Sequence, residues 1–307
     1  MSKLDKILIG LDQSDMDIDL VRAAAYICNV TETNEIYFVN VIRDFSMPDE
    51  LIREFPDLLQ KGISERKEAM EKVVKDHFKC KREPRIHYMV EKGQPTKLFM
   101  RLIEEKGMDL VMAGRKKEKK GGGIIIHRLA RRAGCSLLIV PQGVNNKIEK
   151  ILVPIDFSDY STSALNQAIE VAKNTSNDVE VIAQNVYHVP SGYHYTGKSF
   201  KEFGDVMQKN AEKSYKAFIK DIDTQGQSVV ANYSLDKDED PIKLIYDTAK
   251  ELGVDGIILG AKGRSATTAL FIGSIAEKLI SVDVDIPVMV VRPKGKQAGI
   301  LDYIREI

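Results

Sequence analysis

The sequence predicts an α/β protein made of two tandem doubly wound parallel-sheet domains, each in the order βαβαβαβαβ. Three observations predict it. Short apolar runs rich in Val, Ile and Leu alternate with polar stretches whose apolar residues recur at helical spacing, the pattern of parallel strands crossed over by helices. The same landmarks occur twice in the same order: KILIGLD at 6–12 and KILVPID at 150–156, DLVMAG at 109–114 and DGIILG at 255–260, SLLIVP at 136–141 and PVMVVRP at 287–293. The repeating unit is roughly 145–150 residues, too long for a solenoid repeat and right for a domain, and the chain has 307 residues.

In the first unit, the branched apolar run at 6–12 is a buried strand, and QSD at 13–15 turns the chain into a helix over 19–28. Residues 35–42 (EIYFVNVI) read as the second strand, 48–79 as a helical region and 85–90 as the third strand. GQP at 93–95 opens a helix over 96–105; strand 109–113, helix 124–133 and strand 136–140 complete the unit. The second unit repeats the order with strands 150–155, 178–186, 228–233, 256–259 and 287–291, and helices 162–174, 200–223, 241–251 and 273–281. The polar segment 142–149 (QGVNNKIE) is the linker, which gives domains 1–142 and 143–294 and a tail 295–307, helical from about 298. The last strand of each unit is strongly apolar, and an apolar edge invites pairing. The expectation is that the two halves pair through these final strands in antiparallel fashion, with a homodimer as the alternative use of the same edges.

Lys plus Arg equals Asp plus Glu, 45 of each, so overall charge gives no argument for nucleic acid or an anionic membrane. No apolar run approaches a membrane span, and the start MSKLDKILIG lacks a secretory apolar region, so a soluble cytoplasmic protein is expected. Cys28, Cys80 and Cys135 form no CxxC pair and read as reduced structural thiols. His188 and His194 flank VPSGY without a third ligand nearby, a poor metal site. Ser158, Ser161 and Ser163 follow a strand without a GxSxG elbow, and no nucleophile–base pair is visible.

The stretch that carries chemistry is GAKGRSATTALFIGS at 260–274, between a strand and a helix. Glycines let backbone N–H groups approach an anion, and a helix N-terminus adds donors and a favourable dipole. Gly260, Gly263, Gly273 and Ser274 have neither Walker A nor GxGxxG spacing. The spacing G-x2-G-x9-G-S resembles the ATP-binding signature of universal stress proteins.

The resemblance implies an adenine-nucleotide site in the second domain and a Rossmann-like fold in both. It implies that Gly273, Ser274 and their neighbours hold phosphates and ribose and that Asp156 contacts the adenosine end. It also implies that backbone at Val186 or Asn185 reads adenine. Pro154 and Ile155 would wall the base, Lys262 and Arg264 would supply counter-charge, and Mg2+ could bridge phosphate oxygens. Asp12, the counterpart of Asp156, is expected to be an N-cap or Asx-turn residue instead. The first unit departs from the signature: Gly114 matches Gly260, but Lys117 stands for Gly263 and Ile124 for Ser274, with Gly123 matching Gly273. Arg115, Lys116, Lys117, Lys119 and Lys120 could still attract phosphate, but a degenerate half is the simpler expectation.

The function expected is an adenine-nucleotide (ATP, or ADP/AMP) binding module of stress response or regulation, with an unidentified protein partner. The alternatives are a slow ATPase using the same site, and an interaction protein whose cleft is vestigial or takes another small ligand. The missing general base favours binding over hydrolysis.

Overall fold

The computed structural model describes residues 4–42, 54, 57–117, 123–145, 147–175, 178–263, 272–282 and 285–293. The chain separates into two compact units, Lys3–Asn146 and, apart from the first two residues, Lys147–Ile307.

The first unit runs β1 (Lys6–Leu11), α1 (Met16–Val30), β2 (Glu35–Ile42), α2 (Leu58–His77), β3 (Arg85–Lys92), α3 (Pro95–Lys106), β4 (Leu110–Arg115), α4 (Gly123–Arg132) and β5 (Ser136–Pro141). Its strands lie in the order β3-β2-β1-β4-β5, all parallel. Central β1 is buried on both faces, with Ile7, Leu8 and Ile9 at 0% exposure, which is why it reads as a continuous apolar run.

The second unit runs β6 (Lys150–Pro154), α5 (Asp159–Asn174), β7 (Glu180–His188), a 3₁₀ turn (Ser191–Thr196), α6 (Phe200–Lys220), β8 (Val229–Asp236), α7 (Pro241–Glu251), β9 (Gly256–Gly260), α8 (Ser274–Ser281) and β10 (Val288–Val291). Its order is β10-β9-β6-β7-β8, again parallel.

Local chemistry sets the element ends. Pro95 and Pro241 occupy first-turn helix positions, where a missing N–H costs nothing. Ser199 and Glu202 form a reciprocal capping box at the start of α6. The aspartate that opens each repeated DLVMAG/DGIILG landmark is a clamp. Asp109 accepts from the N–H of Asp5 and Lys6 at 3.0 and 2.9 Å, and Asp255 from those of Glu149 and Lys150 at 2.7 and 3.0 Å. Each carboxylate thus satisfies backbone donors at the entry of its unit's central strand.

Three differences from the sequence reading stand out. Helix α1 begins at Met16, three residues before the first strong apolar repeat, because Asp17 in its first turn holds the preceding corner. Strand β8 runs on to Asp236, held by its full register with β7. The segment between His188 and Phe200 contains a 3₁₀ turn in which Tyr193 packs edge-on against Phe200. The expected tail helix lies outside the described residues, as does the start of the helical region at 48–53.

Candidate functional site

In both units the strand order reverses between the first and fourth strands, β1 and β4 or β6 and β9. Their carboxyl ends diverge there, which is where open α/β sheets bind ligands.

In the second unit the corner after β6 is built first. The N–H of Ile155 donates to Gln184 O at 2.7 Å, and Asn185 Nδ2 donates to Ile155 O at 2.9 Å, tying the strand end to β7. Asp156 follows, and then Phe157 at φ 65°, left-handed backbone that a bulky residue rarely adopts. Ser161 Oγ accepts from Asp156 N at 2.9 Å and donates to Asp156 Oδ1 at 2.6 Å; Ser158 N donates to the same oxygen at 3.1 Å. Ser158 Oγ caps α5 by accepting from Ser161 N at 3.3 Å. Ser158 and Ser161 therefore build this corner.

The anchored carboxylate reaches the glycine loop. A Cβ at Gly263 would lie 2.7 Å from Asp156 Oδ2, so a side chain there would have to push the Asp156 carboxylate aside. The other end of the loop is cinched back: Gly273 N donates to Ala261 O at 2.7 Å, and a Cβ at Gly273 would lie 3.2 Å from Lys262 Cα. Gly273 is the N-cap of α8 and brings no side chain to the first-turn amides, which leaves their donors and the helix dipole directed at the loop. Ser274 opens the helix and is exposed. Lys262 is 6% exposed; burial, and then the charge of Arg292, push its ammonium pKa down. Arg292 follows β10 at the neighbouring register, since Val291 pairs with Gly260. Two cations at adjacent strand ends repel each other and favour an anion between or beside them.

The structure thus brings Ile155, Asp156, Lys262, Gly263, Gly273 and Ser274 to one end of one sheet. Pro154 and half-buried Val186 sit on β6 and β7 rather than in the loop. Gly260 has a packing reason of its own, because a Cβ there would lie 2.7 Å from Tyr160 O; the corresponding Gly114 faces Met16 Cγ at 2.4 Å. Arg264 lies outside the described residues. Arg292 was not singled out by spacing, because an Arg-Pro step after a strand reads as an ordinary turn.

The first unit keeps the corner and changes its chemistry. Gln13 takes φ 62°, and Asn40 Nδ2 donates to Leu11 O at 2.9 Å, as Asn185 does to Ile155. Here the corner amides of Asp12 and Gln13 donate to the Asp17 carboxylate at 3.0 and 2.8 Å. Asp17 aligns with Ser161; this substitution is visible once the repeats are overlaid, but its meaning needs the hydrogen bonds. Burial raises the Asp17 pKa to about 6 despite those bonds. Asp12 accepts from Ser14 Oγ at 2.5 Å, a turn contact of the kind expected, and from Lys116 Nζ at 2.6 Å. Burial opposes ionisation of Asp12, but the bonds from Lys116 and Ser14 outweigh it and hold the carboxyl below its ordinary value.

The cleft beside this corner has a volume of about 550 Å³ and is lined by apolar Met16, Phe99 and Ile126 as well as by Asp12, Arg115 and Lys116. Lys117 donates its N–H to Gln142 Oε1 at 3.4 Å, and Ile124 is 70% exposed. Residues 118–122 of the basic loop lie outside the described residues.

His188 ends β7, and His194 packs against Tyr195 in the 3₁₀ turn. Among the described residues, no three His, Cys, Asp or Glu side chains are grouped to hold a metal ion, and no helix is long and apolar enough to cross a membrane.

The sequence pattern of the universal stress protein family matches residues 3–141 and again 147–292. Universal stress protein MJ0531 of Methanocaldococcus jannaschii is 28% identical over 160 residues, covering 50% of this chain and 86% of that protein. Universal stress protein YxiE of Bacillus subtilis is 26% identical over 152 residues, covering 47% of this chain and 98% of that protein. Among solved structures, a universal stress protein from Archaeoglobus fulgidus superposes with a TM-score of 0.63 at 17% identity, covering 96% of this chain and 98% of that one. That likeness speaks to the fold alone. The two pattern matches together span nearly the whole chain, one to each half, and the chain belongs to the universal stress protein family as a tandem two-domain member.

Proposed function

We propose that the second half binds one adenine nucleotide, ATP foremost with ADP or AMP as weaker ligands, and that the chain acts as a nucleotide-dependent module of stress response or regulation. The observation that carries this reading is the close approach at Gly263: a Cβ there would displace the anchored Asp156, and Gly273 caps the helix that follows. Glycine there lets backbone N–H groups reach phosphate oxygens, and Lys262 and Arg292 supply positive charge nearby. In this reading Asp156 accepts from a ribose hydroxyl, Ile155 and Pro154 lie beside the base, and backbone at Val186 reads its edge. The residues suit a nucleotide with or without Mg2+, which would be carried in on the phosphates. Binding without hydrolysis is the reading proposed, and a slow ATPase using the same site is the alternative that a hydrolysis assay separates.

Titration of the full chain with ATP by calorimetry tests this, with ADP, AMP and cAMP as competitors; one universal stress protein has been solved in complex with cAMP. The expected stoichiometry is one ATP per chain. Two equivalent tight sites, or none, would overturn the assignment. A vestigial cleft in both halves is the competing reading, and mass spectrometry of ligand released from purified protein separates the two.

Pairing of the halves, or of two copies, through their final strands remains part of the proposal. It rests on the apolar sequences of Ser136–Pro141 and Val288–Val291, each the outermost strand of its own unit's sheet. Small-angle scattering that shows two lobes tumbling independently, in a monomer, would remove it.

A further inference from the structure

Cys28 and Cys80 stand 52 residues apart in sequence, yet their sulfurs lie 2.8 Å apart, and both are free thiols. Cys28 is on α1 and fully buried; Cys80 follows α2 and is partly exposed. Asn29, beside Cys28, fixes the approach. Its Nδ2 donates to Lys79 O at 3.2 Å and its Oδ1 accepts from Lys81 N at 2.7 Å, so one side chain grips the backbone on both sides of Cys80. The separation is longer than a covalent S–S bond of about 2.05 Å but closer than a non-bonded packing contact. Reaching bonding distance therefore requires little backbone movement. The sequence, with no CxxC pair, gave no sign of this.

We propose that Cys28 and Cys80 are a redox-active dithiol that a hydroperoxide closes to an intramolecular disulfide. Cys80 is the reachable partner. Its sulfur attacks one peroxide oxygen, the O–O bond breaks, and water leaves with Cys80 as a sulfenic acid. The Cys28 sulfur then attacks the Cys80 sulfur, the S–O bond breaks, and the hydroxyl leaves as a second water with the Cys28 proton. Each sulfur is oxidised by one electron, and the two peroxide oxygens are reduced by two in total. Burial pushes the Cys28 thiol pKa up and makes it the poorer first attacker; its part in the second step rests on its 2.8 Å contact with the Cys80 sulfur. The new bond ties α1 to the connection between α2 and β3, and closing a loop of this length restricts the unfolded chain. Buried Cys135 takes no part in the pair.

The test uses the reduced full chain titrated with hydrogen peroxide and read by intact mass and non-reducing peptide mapping. The expected result is a loss of about 2 Da, a single Cys28–Cys80 linked peptide, reversal by dithiothreitol, and Cys135 still open to alkylation after unfolding. The oxidised chain should also unfold at a higher temperature than the reduced one. Cys28→Ser should leave Cys80 as a sulfenic acid trapped by dimedone, and Cys80→Ser should abolish the mass loss. Oxygen addition at Cys80 without the link, a link between chains, or no reaction at either thiol in the unsubstituted protein would each overturn the proposal, whatever the variants do.

Discussion

At the end of β1 a carboxylate holds the corner; at the end of β6 a hydroxyl does. The backbone is nearly the same at both places, with φ 62° at Gln13 and 65° at Phe157. What differs is the acceptor offered to the corner amides, Asp17 in one half and Ser161 in the other. Ser161 also donates to Asp156 and thereby orients its carboxylate toward Gly263. When ionised, Asp17 adds negative charge beside Asp12. Lys116 then pairs with Asp12, so a cation that could meet a phosphate is engaged by the protein's own acid. Lys262, at the matching position, is buried and lies near Arg292. The exchange of Asp17 for Ser161 thus changes the hydrogen bonding and charge of an otherwise similar corner.

The largest expected effect comes from closing the glycine gap. Gly263→Val should weaken ATP binding by at least about 100-fold, because the branched side chain displaces Asp156 from the loop. Circular dichroism should be unchanged. The converse, Lys117→Gly, should create no ATP site in the first half. Calorimetry on both variants decides it, and retained affinity in Gly263→Val would take the loop out of the site.

Next come the two packing glycines. Gly260→Ala places a Cβ against Tyr160 backbone, which cannot yield, and should cost roughly 1–3 kcal/mol of stability in the second half. Gly114→Ala meets only side-chain atoms, Met16 Cγ and Sδ and Leu20 Cδ1, which can change rotamer, and should cost less. Urea unfolding of both variants measures the gap; equal costs would mean that the backbone adjusts as readily as a methionine.

The Asp17 carboxyl makes the first half pH-sensitive. Its folded pKa of about 6 lies above the ordinary 3.8, so the folded state binds a proton that the unfolded chain has released. That contribution is therefore complete below the ordinary value and lost as pH rises through about 6, by an amount on the order of 1–3 kcal/mol. Asp17→Ser, which imports the residue of the other half, should flatten stability between pH 4 and about 7. Unfolding of the variant series against pH checks the sign, and a slope that survives the substitution would assign it elsewhere.

The smallest effect is expected at Lys116→Ala. The pair with Asp12 is partly solvated, with side chains 28% and 60% exposed, so its loss should cost about 0–1 kcal/mol. If the first cleft binds no nucleotide for the reason given, this change alone should not make it do so.

Much of this was legible in the chain itself. The parallel α/β class, the strand order along the chain and the duplication follow from apolar runs that must be buried on both faces of a sheet, a demand every residue in the run expresses. The clustering of Gly263, Gly273 and Ser274 was legible for a similar reason: only glycine tolerates such close approach, so geometry leaves a mark on identity.

Tertiary structure decided what depends on which distant groups meet. Sequence could not show that Gly260 answers to Tyr160, that Asp17 and not Asp12 holds its corner, that Arg292 stands beside Lys262, or that Cys28 touches Cys80. In each case the residue type is common and its partner lies elsewhere on the chain or on another element. A hydrogen bond or a sulfur contact is settled by ångströms in space, and spacing along the chain fixes those only within one turn or one strand.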